Sequence, residues 1–273
     1  MGTIVLTGAS DGIGAAAAVE LTKLGHTVVA TGRSQQKLDA VRARMVAAAP
    51  ADVSVPEPIA LDLAAQANVR RLAEMVLERC PRVDVLANNA GMHTRKRETS
   101  PDGFELVLAV NHLAPFLLTN LLLERVQSSG GRVVTTSSGA HRSASIDFDD
   151  LQREKKFRSL SAYGGSKLAN IWFTSELARR TNVPATCLHP GIVKTELGRG
   201  TPMSSALKPV LGPFMRTPEA GADTLVWLCT DDEGAHPHAV YYANRKPAKL
   251  SARAKDVDAA RRFWDVSAEL VGI

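Results

Sequence analysis

The run Thr3-Ile4-Val5-Leu6 passes directly into Thr7-Gly8-Ala9-Ser10-Asp11-Gly12-Ile13-Gly14, and that turn opens a helical stretch from Ala15 to Leu24. A strand, a glycine-rich turn and a helix start in immediate succession admit few folds, because the helix N-terminus then faces the carboxyl end of the strand. The unpaired N–H groups and the positive end of the helix dipole make that junction an anion cradle. Gly8 suits the tight turn, Gly12 the close backbone approach and Gly14 the close helix packing that a pyrophosphate requires. The junction predicts dinucleotide binding, with Ser10, Asp11 and Ile13 lining the same turn. An ordinary glycine-rich βα loop has the same spacing, so the downstream residues have to decide.

Apolar runs of strand length recur along the chain: Thr27-Val28-Val29-Ala30, Ile59-Ala60-Leu61, Val83-Asp84-Val85-Leu86, Arg132-Val133-Val134-Thr135, Ala185-Thr186-Cys187-Leu188 and Ala239-Val240-Tyr241-Tyr242. Stretches of helical periodicity fill the gaps. Ser34 is placed to cap a helix from Gln35 to Ala49, and Thr217-Pro218 to start one that reaches about Leu228. The alternation predicts an α/β, doubly wound Rossmann fold, with a central parallel sheet of about seven strands and helices on both faces. No repeat or linker-like shift interrupts it, so a single domain over 1–273 is expected. Ligands should then bind at the carboxyl ends of the strands.

Composition excludes several other classes. With 45% apolar residues and a formal net charge of +5 over 273 residues, the chain reads as globular. Its three cysteines, Cys80, Cys187 and Cys229, are too far apart for a disulfide framework or a cysteine-rich metal site. His236-Pro237-His238 is too isolated to hold a metal. The pI of about 9.2 comes from scattered basic residues near Asp and Glu, which is the pattern of a solvated surface and not of a nucleic-acid interface. The first strand begins so soon after Met1 that neither a signal peptide nor a membrane anchor is expected, and the expected compartment is the cytoplasm. Leu106 to Val126 is the most apolar stretch, but Asn111, His112, Pro115 and Asn120 interrupt it, so it reads as a buried helix.

Groups with chemical potential fall at the strand ends. Asn88-Asn89-Ala90-Gly91 follows the fourth strand, where a short amide and a glycine can stiffen a turn beside a ribose. Ser137-Ser138 closes the fifth strand, Tyr163 and Lys167 lie one helical turn apart, and Asn111 sits within the apolar helix, where an unpaired amide would be costly. Singly, each has an ordinary explanation as a loop, a cap, a chance pair or a buried backbone contact.

Together, TGASDGIG from Thr7, NNAG from Asn88, NHLAPF at Asn111, SS ending at Ser138, YGGSK from Tyr163 and HPGIVKTEL from His189 resemble the short-chain dehydrogenase/reductase family in order and spacing. FDDLQ, AYGGSKLAN and the tail from Arg262 to Ser267 are similar to its retinol-dehydrogenase-like branch. The resemblance implies an enzyme that moves a hydride between a nicotinamide cofactor and an alcohol or carbonyl substrate. Tyr163 would be the general acid or base, and Lys167 would lower its pKa and hold the nicotinamide ribose. Ser138 would hydrogen-bond the substrate oxygen, and Asn111 would position a water leading from Lys167 to solvent. The resemblance also assigns Asp62, with Leu63 beside it, to the adenine, Asn89, Ala90 and Gly91 to the ribose side, and Pro190, Gly191, Val193 and Thr195 to the carboxamide. It further implies pairing through the helices that carry Asn111 and Tyr163, to a homodimer or homotetramer, unless the tail covers them.

Cofactor choice is expected at the end of the second strand. A carboxylate there would accept from a ribose 2′-OH and repel a 2′-phosphate. This chain has Arg33 instead, a planar fork of donors suited to phosphate, with Ser34 and Lys37 close by, so NADP(H) is favoured over NAD(H). Asp11 argues the other way, since many NADP-using relatives carry a second basic residue inside the glycine turn. Residues 196–216 are rich in Gly, Pro and Ser and read as a substrate lid, or equally as a short helix. Leu197, Met203, Leu207, Val210, Leu211, Phe214 and Met215 suggest that it closes over an apolar substrate. His93 and His141 fall near the expected mouth of the site.

Overall fold

The structure, a computed structural model, describes residues 1–193 and 215–273. Among them, eight strands form one sheet in the order β3-β2-β1-β4-β5-β6-β7-β8. These are β1 (Thr3–Leu6), β2 (Thr27–Gly32), β3 (Ile59–Ala60), β4 (Val85–Asn88), β5 (Arg132–Thr136), β6 (Ala185–His189), β7 (Tyr241–Ala243) and β8 (Lys246–Pro247). All neighbours pair in parallel except β7 and β8. The order doubles back after β3, from β1 outward to β4, so a crevice opens at the carboxyl ends of β1 and β4, where doubly wound sheets bind ligands.

The strand period of two sends alternate side chains to opposite layers. Ile4, Leu6, Val28, Ala30, Val85 and Ala87 pack under α1 (Gly12–Lys23), α2 (Gln35–Ala48) and, later in the chain, the helix Pro218–Thr230. Val5, Val29, Leu86 and Val133 face α3 (Gln66–Arg79), α4 (Leu106–Ser128) and α5 (Ser159–Arg180). Leu6 and Leu86 are fully buried on opposite faces, and each contributes about 2 kcal/mol by transfer from water. The helix Pro218–Thr230 is α6, and α7 is Val257–Val271.

Local chemistry sets the element ends where the sequence expects them. Ser34 accepts from Lys37 N and Thr217 from Ala220 N at the starts of α2 and α6. Asp256 caps α7, and Gly272 ends it in the left-handed region at φ +68°. The eighth strand is an addition to the seven expected. It returns through Asn244 and Arg245, whose φ values of +55° and +56° are those of a tight hairpin turn. Such turns normally announce themselves with a glycine, and Asn-Arg carries no such signal.

Two further differences bear on the site. The helix from Leu106 is long and apolar enough to cross a membrane, but 78% of its apolar window is buried, as the sequence reading has it. It is not uniform, however, because Ala109–Leu113 winds as a π-helix and Asn111 lies at its centre. The tail also folds back. Through Phe263 and Trp264, α7 lies along α5 and touches α4, with Trp264 4.9 Å from the Phe116 ring and stacked on Phe173.

Candidate active site

Glycine is required where the β1–α1 turn meets the loop after β4. Gly8 has φ +69°, and a Cβ on it would stand 2.7 Å from Ala90 Cα. A Cβ on Gly14 would lie 2.0 Å from the Gly8 carbonyl oxygen, so any side chain there forces α1 off the turn. Asn89 Nδ2 donates to Thr7 O at 3.1 Å and to Gly8 O at 3.3 Å, while Asn89 N and Ala90 N both donate to Thr7 Oγ1 at 3.0 Å. The two predicted cofactor segments are therefore one hydrogen-bonded unit. Ile13 and Val193 both approach Gly221 on α6, which ties the glycine turn to the loop after β6.

Asp11 has a structural occupation. Its Oδ1 accepts from Gly12 N at 2.7 Å and caps α1, while Oδ2 takes Lys37 Nζ at 2.9 Å. Ser10 packs its Oγ beside Gly32. Arg33 is exposed at the end of β2 and makes no hydrogen bond or ion pair among the described residues. Asp62 is exposed beyond β3, where its Oδ1 accepts from Ala64 N at 3.0 Å, and Leu63 packs against the core. Gly191, at φ +88°, lies under the Arg216 side chain, and Arg216 N donates to Ile192 O at 2.8 Å just beyond Pro190. Thr195 and nearly all of the expected lid lie outside the described residues.

At the carboxyl ends of β4 and β5 the four expected catalytic residues converge. Lys167 is 2% exposed and donates through Nζ to the Thr136 carbonyl at 3.1 Å, with Nζ 5.6 Å from the centre of the Tyr163 ring. A Cβ on Gly91 would stand 3.2 Å from that ammonium, so a side chain there would crowd it. Burial alone pulls Lys167 down to about 8. The Tyr163 phenol is raised above its ordinary value by burial, against which a hydrogen bond with Ser138 works. The expected lowering of the phenol is not the net outcome: burial sets the direction, while the Lys167 ammonium beside the ring donates to Thr136.

The serine pair divides its work. Ser137 is buried and donates to Lys167 O at 2.7 Å, whereas Ser138 is half-buried and caps a short 3-10 turn by accepting from Ala140 N at 3.2 Å. Asn111 Nδ2 donates to Met92 O at 2.9 Å and Ser166 Oγ at 3.0 Å, while its Oδ1 accepts from Met92 N at 2.7 Å. The amide thus pins the loop after β4 to α5. His93 sets its ring edge-on to Tyr163 at 5.7 Å, but His141 is fully buried, with Nδ1 2.7 Å from Ser138 O, and so lies beneath the site and not at its mouth. The contact that sequence reasoning missed is the Thr136 carbonyl. A backbone oxygen leaves no mark in the residue pattern.

The description "short chain dehydrogenase" fits residues 2–204 of this chain. A Streptomyces sp. (strain C5) protein provisionally named daunorubicin C-13 ketoreductase is 41% identical, over 99% of this chain and 92% of its own. Retinol dehydrogenase 14 of Homo sapiens is 39% identical, over 99% of this chain and 86% of its own. The crystal structure of an alcohol dehydrogenase from Thermococcus sibiricus, in complex with 5-hydroxy-NADP, superposes with a TM-score of 0.63 at 25% identity, over 84% of this chain and 90% of that one. The chain belongs to the short-chain dehydrogenase/reductase family, in its retinol-dehydrogenase-like branch, and is an oxidoreductase of the alcohol–carbonyl pair.

Proposed function

We propose that the protein is an NADP(H)-dependent enzyme that interconverts an apolar aldehyde or ketone and the corresponding alcohol. The observation that carries this reading is the convergence of Tyr163, Ser138 and Lys167 beside a glycine turn into which no side chain fits at Gly8 or Gly14. Those glycines, with the helix N-terminus behind them, suit a pyrophosphate, and the Asn89-Ala90-Gly91 turn suits the adjoining ribose. The nicotinamide, when bound, supplies or accepts the hydride.

Tyr163 gives its phenolic proton to the carbonyl oxygen in reduction and takes the hydroxyl proton in oxidation. Ser138 Oγ donates to the same oxygen and stabilises the charge that gathers there. Lys167 supplies a buried positive charge beside the phenol, and Asn111 holds the loop against which a water can lead protons outward. The likeness to retinol dehydrogenase 14 and to the protein named for a daunorubicin C-13 ketoreductase supports an apolar substrate.

Preference for NADP(H) rests on Arg33, an exposed guanidinium at the position where a 2′-phosphate would sit. Pairing with Lys37 offsets the charge of Asp11. The structural relative bound to 5-hydroxy-NADP is in keeping with this choice. A second reading, an NAD-linked alcohol dehydrogenase, is favoured by the Asp11 carboxylate itself. Fluorescence titration with NADPH and NADH, repeated on Arg33→Ala, separates the two. An NADPH preference that collapses in the variant supports the first reading, and equal binding or an NADH preference supports the second.

A further inference from the structure

His112 follows Asn111 in the π-helical stretch and is 1% exposed, yet the polar atoms around it lead to Lys167. Its Nδ1 lies 3.4 Å from Asn170 Oδ1, and its Nε2 lies 2.9 Å from Ser267 Oγ on α7. Asn170 Nδ2 donates to the Thr136 carbonyl at 3.3 Å, the same oxygen that accepts from Lys167 Nζ at 3.1 Å. Asn170 is 1% and Ser267 0% exposed, so water cannot substitute for a lost partner.

The pairing orients the ring. With Asn170 Nδ2 on Thr136, its Oδ1 faces the imidazole, and the Nδ1–H tautomer is the one that pairs with it. Ser267 Oγ donates to the Phe263 carbonyl at 2.7 Å, so its single proton reaches His112 Nε2 only by turning from that bond. Burial pulls the imidazole down to about 4, which keeps it neutral near pH 7. Ring contacts with Phe116, Phe173 and Phe263 at 5.9, 6.3 and 4.9 Å fix its plane.

We propose that His112, Asn170 and Ser267 form a positioning strut through which the C-terminal helix α7 holds the Thr136 carbonyl and, on it, the Lys167 ammonium. A terminal amide can turn over and present either its N–H or its oxygen to Thr136. His112 selects the N–H. Turned over, Asn170 would set one carbonyl oxygen against another and push Thr136 away from Lys167, whose ammonium has no other hydrogen-bond acceptor among the described residues. The strut rests on the reading of Lys167 as a catalytic group, and its test keeps the two apart.

The experiment compares wild type, His112→Phe, Ser267→Ala and Lys167→Met in full-length protein. It reads kcat, the KM for NADPH, and the titration of Lys167 by 13C NMR of lysine-labelled protein, with Lys167→Met assigning the signal. The expected result for His112→Phe is a fall in kcat of about tenfold, a KM for NADPH within about twofold of wild type, and a lower Lys167 titration midpoint. Ser267→Ala, which removes one hydroxyl, should move both readouts in the same direction by a smaller amount. It decides the matter if His112→Phe does not fold. Wild-type kcat overturns the strut, and so does a lowered kcat with an unmoved Lys167 midpoint, because that is the mark of a merely structural role. Full activity in Lys167→Met overturns the catalytic reading of the lysine instead.

Discussion

Beside the end of β5, Lys167, Ser137 and Asn111 are buried and held by hydrogen bonds of 2.7 to 3.1 Å, whereas at the end of β2 Arg33 stands exposed with no partner among the described residues. The two corners belong to one crevice and are built on opposite principles. Proton transfer needs groups set to fractions of an ångström, and burial with paired neighbours provides that before any ligand arrives. Recognition of a terminal phosphate needs charge that remains solvated until the phosphate replaces water, which an exposed guanidinium offers. Under the proposed function, the contrast says where substitutions act: on turnover at the buried corner, on cofactor affinity at the exposed one.

The sharpest break would come from Tyr163→Phe. Turnover should fall by about 10²- to 10⁴-fold while NADPH binding stays within about twofold, measured by steady-state kinetics and fluorescence titration. Near-normal turnover would remove the proton-transfer role from the buried corner. Next, Arg33→Ala should weaken NADPH binding by about 10- to 100-fold, equivalent to about 1.4–2.7 kcal/mol, and leave NADH binding unchanged. Equal losses for both cofactors would show that Arg33 does not read the phosphate.

A smaller effect at the buried corner is read by pH. Lys167 is lowered to about 8 from an unfolded value near 10.5, so between those values the unfolded chain binds the extra proton, and the contribution of Lys167 to stability rises with pH. The stability of wild type relative to Lys167→Met should therefore increase by about 1 kcal/mol from pH 7 to pH 9, read by urea unfolding. The smallest change is that of Lys37→Met. Losing the 2.9 Å pair removes one offset to the charge of Asp11 and should weaken NADPH by about threefold, and tighter NADPH binding in the variant would contradict the offsetting role.

How legible each corner was follows from the same contrast. The glycine turn and the meeting of Tyr163, Lys167 and Ser138 could be read from the chain because each depends on residue type at a local spacing. The conformation of Gly8 and the tight seat of Gly14 against the turn match that reading. The depressed phenol expected at Tyr163 could not be read. It depends on where the Lys167 ammonium points and how deeply both are buried, and neither is a property of spacing. His141 was placed at the mouth for a similar reason, since sequence position gave its neighbourhood but not its depth.

By itself the sequence determined the doubly wound frame, the glycine turn between β1 and α1 and the identity of the chemical groups, because strand alternation, helix caps and glycine requirements act over a few neighbouring residues. Only the tertiary structure decided that Asn111 pins the loop after β4, that Asp11 is tied to Lys37, and that α7 returns to place Ser267 beside His112. Those contacts join residues 19, 26 and 155 positions apart, and they are chosen by the need to pair polar atoms where water is excluded. No local pattern records that need.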